Sequence, residues 1–450
     1  MEDWLSGLRR RVGSSLGMRV FRRFESCILR HRTFFNGGLT ERLKVTVPKT
    51  VGHETLARRF ESFTLRHRFF FFIGGLAERL KAAVLKTVGY EILFRRFESC
   101  ILRHNLFSSK VLDMGLIIIT GGQFGSEGKG KASLFFAKKF NASCVIRTGG
   151  SNSGHVVFHK GRRYAFQILP VASVLGNVTC VLPAGSYIDL PILQREIGWT
   201  GIGKYRLKIH PNAVIIDGDL KNREHDAGID SSIGSTLSGT GAGVVARASR
   251  SMSVRLAKDE LSLKEYIADT VEHVRNLLDW HHEVLIEGTQ GFGLSVFQTP
   301  EYPFATARDT TASGFLSEAG MSPLDVTGIV LVIRSFPIRV AGNSGPLPNE
   351  TTWEEVTRFS GSTTPLTERT TVTDRIRRVA FFDESIVRKA IVSNQPTVIA
   401  MNHVDYFDYS IHDQERLSAK ADEEVRKIEM KIGRTIDYVG TGGEILFERT

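Results

Sequence analysis

The chain has 450 residues, 42% hydrophobic and 24% charged, enough for a large buried core and more than one domain. Its four cysteines, Cys27, Cys100, Cys144 and Cys180, show no CxxC spacing, which argues against a disulfide scaffold and a cysteine zinc site. No apolar run reaches eighteen residues, so no transmembrane helix and a cytoplasmic location are expected. The net charge of +11 suggests a nucleic-acid partner at first sight, but it is unevenly placed. Residues 1–113 hold 22 Lys+Arg against 10 Asp+Glu, and the remainder holds 37 against 38.

That basic segment is repetitive. RRFESCILRH (22–31) returns as RRFESFTLRH (58–67) and again unchanged at 95–104, and GGLTERLK (37–44) returns as GGLAERLK (74–81). A period near 36 fits a helical solenoid by length. Copies this similar, without distinct caps and with Phe69 to Phe72 in no helical or strand period, argue instead for an extension that is not a folded domain. A basic arm for nucleic acid or membrane and a targeting segment are the alternatives. A domain is expected to start at Met114 and run to Thr450.

Gly115 to Thr120 is a short β-branched run, as in a buried parallel strand. GGQFGSEGKGK (121–131) follows, and then ASLFFAKKF with helical spacing. Strand, glycine-rich loop and helix would aim backbone N–H groups at a phosphate. Gly125 to Lys131 reads GxxxxGK, but Ala132 replaces the Ser or Thr of an ordinary P-loop. Further along lie RTGGSNSGHVV (147–157), IGST (233–236), IEGTQG (286–291) and YPFATARDTTASG (302–314). Thr370 to Arg378 is basic, Val398 to Asp405 reads as a strand with a polar turn, and Gly440 to Gly443 is a second glycine-rich turn.

In this order the motifs resemble those of the adenylosuccinate synthetase family, almost end to end from Met114. The resemblance implies an α/β fold, a mostly parallel central sheet with helices on both faces and a phosphate loop after the first strand. It also implies a C–N ligase that joins L-aspartate to C6 of a purine monophosphate, with a nucleoside triphosphate, Mg2+ and a homodimer. The implied triphosphate contacts are Gly125, Glu127, Gly128, Lys129, Gly130 and Lys131, with Gly154, His155, Asn402, Asp405 and Gly442. The purine monophosphate would meet Ser126, Asn152, Ser235, Thr236, Arg250, Gln290 and Thr306. For Arg250, which would reach a neighbouring subunit, Arg247 is a near competitor. Aspartate would meet Val372, Thr373, Arg375 and Arg377, since two carboxylates call for guanidinium pairs. Ser126, Lys129, His155 and Gln290 would be catalytic, and Ser126 and Gly154 would be the metal ligands.

Departures from the family pattern carry information. Ser126 stands where members typically have the Asp that serves as base at N1, and a hydroxyl is a poor base. Guanine's 2-amino group needs the room that a serine leaves. The exchange resembles a phage branch of the family that acts on dGMP, on the way to 2-aminoadenine DNA, which would place the protein in a host cytoplasm. Phe124 for Trp and Asp309 for Asn lean the same way. Asp405 fits GTP, whereas Asn402-His403 and the phage resemblance fit ATP or dATP, which is the expectation. The rivals are the same chemistry on IMP with GTP, and a nucleotide-binding homologue that has lost catalysis.

Overall fold

The apolar run after Met114 forms β1 (Leu116–Gly121), every residue of which is buried. In this computed structural model, which describes residues 115–370 and 374–449, β1 sits inside a nine-stranded sheet. The repeated basic segment, Val372 and Thr373 lie outside the described residues. The other sheet strands are β2 (Cys144–Arg147), β3 (Thr179–Leu182), β4 (Leu207–Ile209), β5 (Val284–Glu287) and β6 (Val326–Arg334). They are followed by β7 (Val398–Asn402), β8 (Tyr438–Thr441) and β9 (Ile445–Glu448). The spatial order is β9-β8-β7-β6-β1-β5-β2-β3-β4, and only the β8–β9 pair is antiparallel.

Alternation along β1 explains the layers. Ile117 and Ile119 face α1 (Lys129–Lys139), packing with Ala132 and Phe136. Leu116 and Ile118 face the other side, against α3 (Thr270–Asp279) and α4 (Ala312–Ala319), through Val274 and Phe315. Between β4 and these helices the chain forms α2 (Thr240–Ala248). Each fully buried Leu or Ile side chain contributes about 1.5–3 kcal/mol relative to an exposed one. Under β6 and β7 a third cluster joins α5 (Trp353–Ser360), α6 (Glu384–Asn394) and α7 (Ala419–Ile432). The expected α/β architecture, with helices on both faces of a mostly parallel sheet, is the one observed. Among the described residues no helix is long and apolar enough to cross a membrane.

Helix α1 begins at Lys129, three residues before the helical spacing of the sequence suggests, so both loop lysines lie in its first turn. Its N-cap is Gly128, at φ 87° and ψ 29°, with no side-chain cap. A Cβ there would lie 2.5 Å from Nδ2 of Asn402, so the left-handed turn and the close approach both call for glycine.

Candidate active site

Four parallel strands, two on each side of β1, end in a buried polar residue at the same edge of the sheet: Arg147 on β2, Glu287 on β5, Arg334 on β6 and Asn402 on β7. Glu287 pairs in register with Arg147, and Arg334 with Asn402. The loop after β1 leaves this same edge, which is where open parallel sheets place ligands.

The phosphate loop is organised from within. Glu127, fully buried, accepts through Oε1 from the amides of Gln123 (3.1 Å) and Gly125 (2.8 Å). Its Oε2 lies 2.5 Å from Lys129 Nζ. This carboxylate is therefore committed to the loop, and only its backbone is left for a phosphate. Lys131 donates to the carbonyls of Gly442 (3.1 Å) and Ile445 (3.0 Å), and burial brings its pKa down to about 8. It ties α1 to the 440–445 turn. Asn402 Nδ2 donates to the Glu127 carbonyl at 2.8 Å, holding the loop from below. With no side chain on its N-cap, the first turn of α1 keeps N–H groups suited to an anion.

Ser126 is exposed on this loop and adopts φ 59°. That left-handed conformation is uncommon for a serine and stores about 1–2 kcal/mol. Its carbonyl accepts from Arg334 Nη1 at 3.0 Å, which helps to hold it there. Arg334 also forms a two-pronged pair with Glu368, while its backbone N–H and C=O bond both ends of the Gln123 amide (2.9 and 3.1 Å). Tyr406 donates to Glu368 at 3.1 Å. Burial opposes ionisation of Glu368, but Arg334 above all brings its pKa down to about 2. One buried guanidinium thus links the phosphate loop to residue 368 and to the turn after β7.

His155 belongs to a second buried cluster. Its Nδ1 lies 2.7 Å from Glu287 Oε1 and 2.8 Å from Arg147 Nη1, and Arg147 also pairs with the same Glu287 oxygen. Glu287 Oε2 accepts from the Val171 amide at 2.9 Å. Because Arg147 is already paired, we assign the Nδ1 proton as donated to Glu287, which leaves Nε2 as the basic nitrogen. Burial first, and then Arg147, bring the His155 pKa down to about 4, despite Glu287. Arg147 Nη2 donates to the Ser153 carbonyl at 2.9 Å, fixing the loop that carries Gly154 and His155. A Cβ on Gly130 would lie 3.0 Å from Cβ of His155, so the histidine backs directly onto the first turn of α1.

Several expected purine contacts come together. Gln290 Nε2 donates to the Asn152 carbonyl at 3.5 Å, and Asn152 Nδ2 donates to Thr306 Oγ at 3.4 Å. Gln290 Oε1 faces Gly125, at 3.7 Å from where a Cβ would stand. Asn152 Oδ1 is buried without a hydrogen-bond partner. Ser235 and Thr236 lie on a partly exposed loop, where Ser235 Oγ accepts from the Leu237 amide. That loop packs against Asn343 and Ser344 rather than the phosphate loop. Arg247 is committed within the chain to the carbonyls of Ala184 (2.5 Å) and Asn212 (3.1 Å). Arg250, exposed at φ 56° beyond α2, is the arginine free to reach outward.

Arg375 is exposed, and its backbone bonds Thr370 on both sides. Arg377 is partly buried and donates to the Arg369 carbonyl at 3.2 Å, its pKa lowered by burial and by Arg334. Asp374 adopts φ 50°, a left-handed conformation more usual for glycine. Two departures noted in the sequence have local explanations. Phe124 packs in the core beneath the loop, with Arg339 over its ring at 4.5 Å. Asp309 accepts from Ser295 (2.7 Å) and Thr311 (2.6 Å), bracing the start of α4.

Sequence reasoning passed over Arg147, Glu287 and Arg334. The signal was present: CVIR, VLIE and VLVIR each close an apolar strand on one charged residue.

A family profile described as adenylosuccinate synthetase matches residues 118–260 and 254–412. The adenylosuccinate synthetase of Methanococcus vannielii is 36% identical over 339 residues, 73% of this chain and 96% of its own length. That of Thermococcus onnurineus is 35% identical over 337 residues, with the same coverage of both chains. Among solved structures, fully ligated adenylosuccinate synthetase from Plasmodium falciparum superposes with a TM-score of 0.65 at 19% identity, covering 75% of this chain and 100% of that one. Succinoaminodeoxyadenylate synthetase of cyanophage S-2L, bound to dGMP and dATP as an energy donor, gives 0.62 at 23% identity, covering 75% and 95%. At those identities the two structures attest the fold. The chain belongs to the adenylosuccinate synthetase family of C–N ligases.

Proposed function

We propose that this chain joins L-aspartate to C6 of dGMP, using ATP or dATP, to give N6-succino-2-amino-2'-deoxyadenylate, a nucleoside diphosphate and phosphate. The observation that carries the reading is Ser126, exposed on the phosphate loop in a strained left-handed conformation. A serine leaves room for guanine's 2-amino group and offers it an acceptor, which a carboxylate reaching N1 would crowd. The cyanophage enzyme with dGMP and dATP bound supports it as a likeness of fold. A second reading, IMP with GTP, draws on the archaeal relatives and on the retained Asp405. Loss of catalysis is the third.

In the proposed reaction the purine 6-oxygen attacks the γ-phosphorus and the diphosphate leaves. The aspartate amine then attacks C6, and phosphate departs with the 6-oxygen. His155 would present Nε2 between the 6-oxygen and the γ-phosphate, with Glu287 stabilising the imidazolium once phosphate charge raises its pKa from about 4. Lys129, in the first turn of α1, would meet the phosphates, and Gln290 with Asn152 and Thr306 would hold the base. Val372, Thr373, Arg375 and Arg377 would hold the two aspartate carboxylates. Ser126 Oγ and the Gly154 carbonyl are oxygen donors that suit a hard cation, but both are neutral, so the phosphates must bring the charge to magnesium. When bound, Mg2+ would neutralise the triphosphate. Arg250 would enter the site of a second copy in a homodimer. Residues 1–113 would be an extension outside the enzyme.

The test is a product assay. The full chain is given aspartate, Mg2+, ATP or GTP, and dGMP, GMP or IMP, with products weighed by mass spectrometry. Succinylated product from dGMP is expected. Product from IMP alone would establish the second reading, and nucleotide binding without any product would establish the third.

A further inference from the structure

The turn after β7 holds a carboxylate that already has a partner. Asp405 is fully buried, and its Oδ2 lies 2.6 Å from Nδ1 of His412. Its other oxygen, Oδ1, is buried without a hydrogen-bond partner. His412 is fixed from two further directions. Its ring stacks on Tyr409, with centroids 4.5 Å apart and planes at 15°, and its Nε2 lies 3.5 Å from Asp413. The hydrogen bond to Asp405 raises the His412 pKa above the usual imidazole value, so Nδ1 carries a proton and donates. Against the cost of burial, the same bond, with His403 and the Gly442 amide contributing, holds Asp405 below the usual carboxylate range.

This pair stands beside the phosphate loop. Asn402, three residues earlier, ties to the loop carbonyls, and Lys131 of α1 reaches the carbonyls of Gly442 and Ile445 on the facing turn. A triphosphate seated at the start of α1 would extend its base between these two turns.

Donor counting then separates the purines. The Watson–Crick edge of guanine presents two donors on one side, N1–H and the 2-amino group, and asks for both oxygens of a carboxylate. Adenine has no donor on that side; its one donor on this edge, the 6-amino group, is served by one oxygen. We propose that His412 selects an adenine over a guanine nucleoside triphosphate by occupying one of the two oxygens of Asp405. The proposal rests on the reading of residues 402–405 as the base site of the phosphoryl donor, and is independent of which purine monophosphate is the acceptor.

Two variants separate the N–H from the ring. His412→Phe keeps a ring against Tyr409 and removes the donor; His412→Asn places an amide nitrogen near Nδ1 and removes the ring. On the full chain with Mg2+, ATP and GTP compete against a fluorescent adenosine triphosphate analogue. The wild type is expected to bind ATP more tightly than GTP, His412→Phe to shift that ratio towards GTP about tenfold, and His412→Asn to keep it. A wild type that prefers GTP overturns the proposal, as does an unchanged ratio in His412→Phe. Should His412→Phe fail to fold, as judged by circular dichroism, His412→Ala gives the same comparison. Because binding is read without turnover, a ligase found to act on IMP would remove the dGMP reading and leave this one standing.

Discussion

Replacing Glu287 by glutamine removes one charge and almost no volume, at the centre of the His155 cluster. Glu287 is fully buried and Arg147 is 2% exposed, so the variant leaves a guanidinium in the interior without its counterion. Breaking a buried pair from one side costs about 3–5 kcal/mol. That is a large share of the roughly 5–15 kcal/mol that holds a folded domain together. With a urea slope of about 3 kcal/mol per molar, the unfolding midpoint should fall by about 1–2 M. The same change removes the negative charge that would stabilise the His155 imidazolium and leaves one amide oxygen where two carboxylate oxygens now serve His155 and the Val171 amide, so kcat should drop about 10²–10⁴-fold while KM for the nucleotides changes much less. The double variant Arg147→Met, Glu287→Leu should recover most of the stability and none of the activity, because the orphaned charge is gone but the histidine remains unset. A Glu287→Gln protein with the wild-type urea midpoint and wild-type kcat would refute this account of the cluster.

Three further outcomes follow from the same geometry. His155 and His403 have folded-state pKa values near 4, below the ordinary histidine value, so the unfolded chain binds more protons between about pH 6.5 and 4. Their contribution is lost as the pH falls through that window, and urea melts should show stability declining there; His412, raised by Asp405, acts in a different window, its contribution being complete below its unfolded value and lost as the pH rises through its folded one. Arg334→Lys cannot span both Glu368 and the Ser126 carbonyl, and losing one charged hydrogen bond of about 1.5–3 kcal/mol should lower kcat/KM for ligation roughly 10- to 100-fold, read by steady-state kinetics. If Arg250 serves a neighbouring copy, inactive Arg250→Ala and inactive Lys129→Ala proteins should regain activity when mixed and allowed to exchange subunits.

Much of this was legible in the sequence, for identifiable reasons. A strand buried on both faces reads as an unbroken apolar run, and β1 and β7 were found that way. The glycine-rich loop showed itself through the spacing of Gly125, Gly130 and Lys131. The inner partners were not legible, because each is a long-range pair: Glu287 is 132 residues from His155, and Arg334 is 208 from Ser126. Local spacing carries no trace of such contacts. Side-chain direction was hidden as well. Lys131 looks like a phosphate ligand from its position, yet it turns to the 440–445 carbonyls, and Glu127 turns inward to its own loop. Phe124 and Asp309, read in the sequence as marks of an altered substrate, also have local roles in packing and hydrogen bonding. Of the three departures, Ser126 is the one that lies exposed on the phosphate loop.

Ser126 therefore decides the central claim. The direct measurement is the ratio of kcat/KM for dGMP to that for IMP, in the wild type and in Ser126→Asp, with aspartate and ATP held constant. The account predicts a wild type that favours dGMP and a variant whose ratio moves at least tenfold towards IMP, because the carboxylate crowds the 2-amino group and supplies a base at N1. A wild type that favours IMP, or a ratio that Ser126→Asp leaves unchanged, would contradict it.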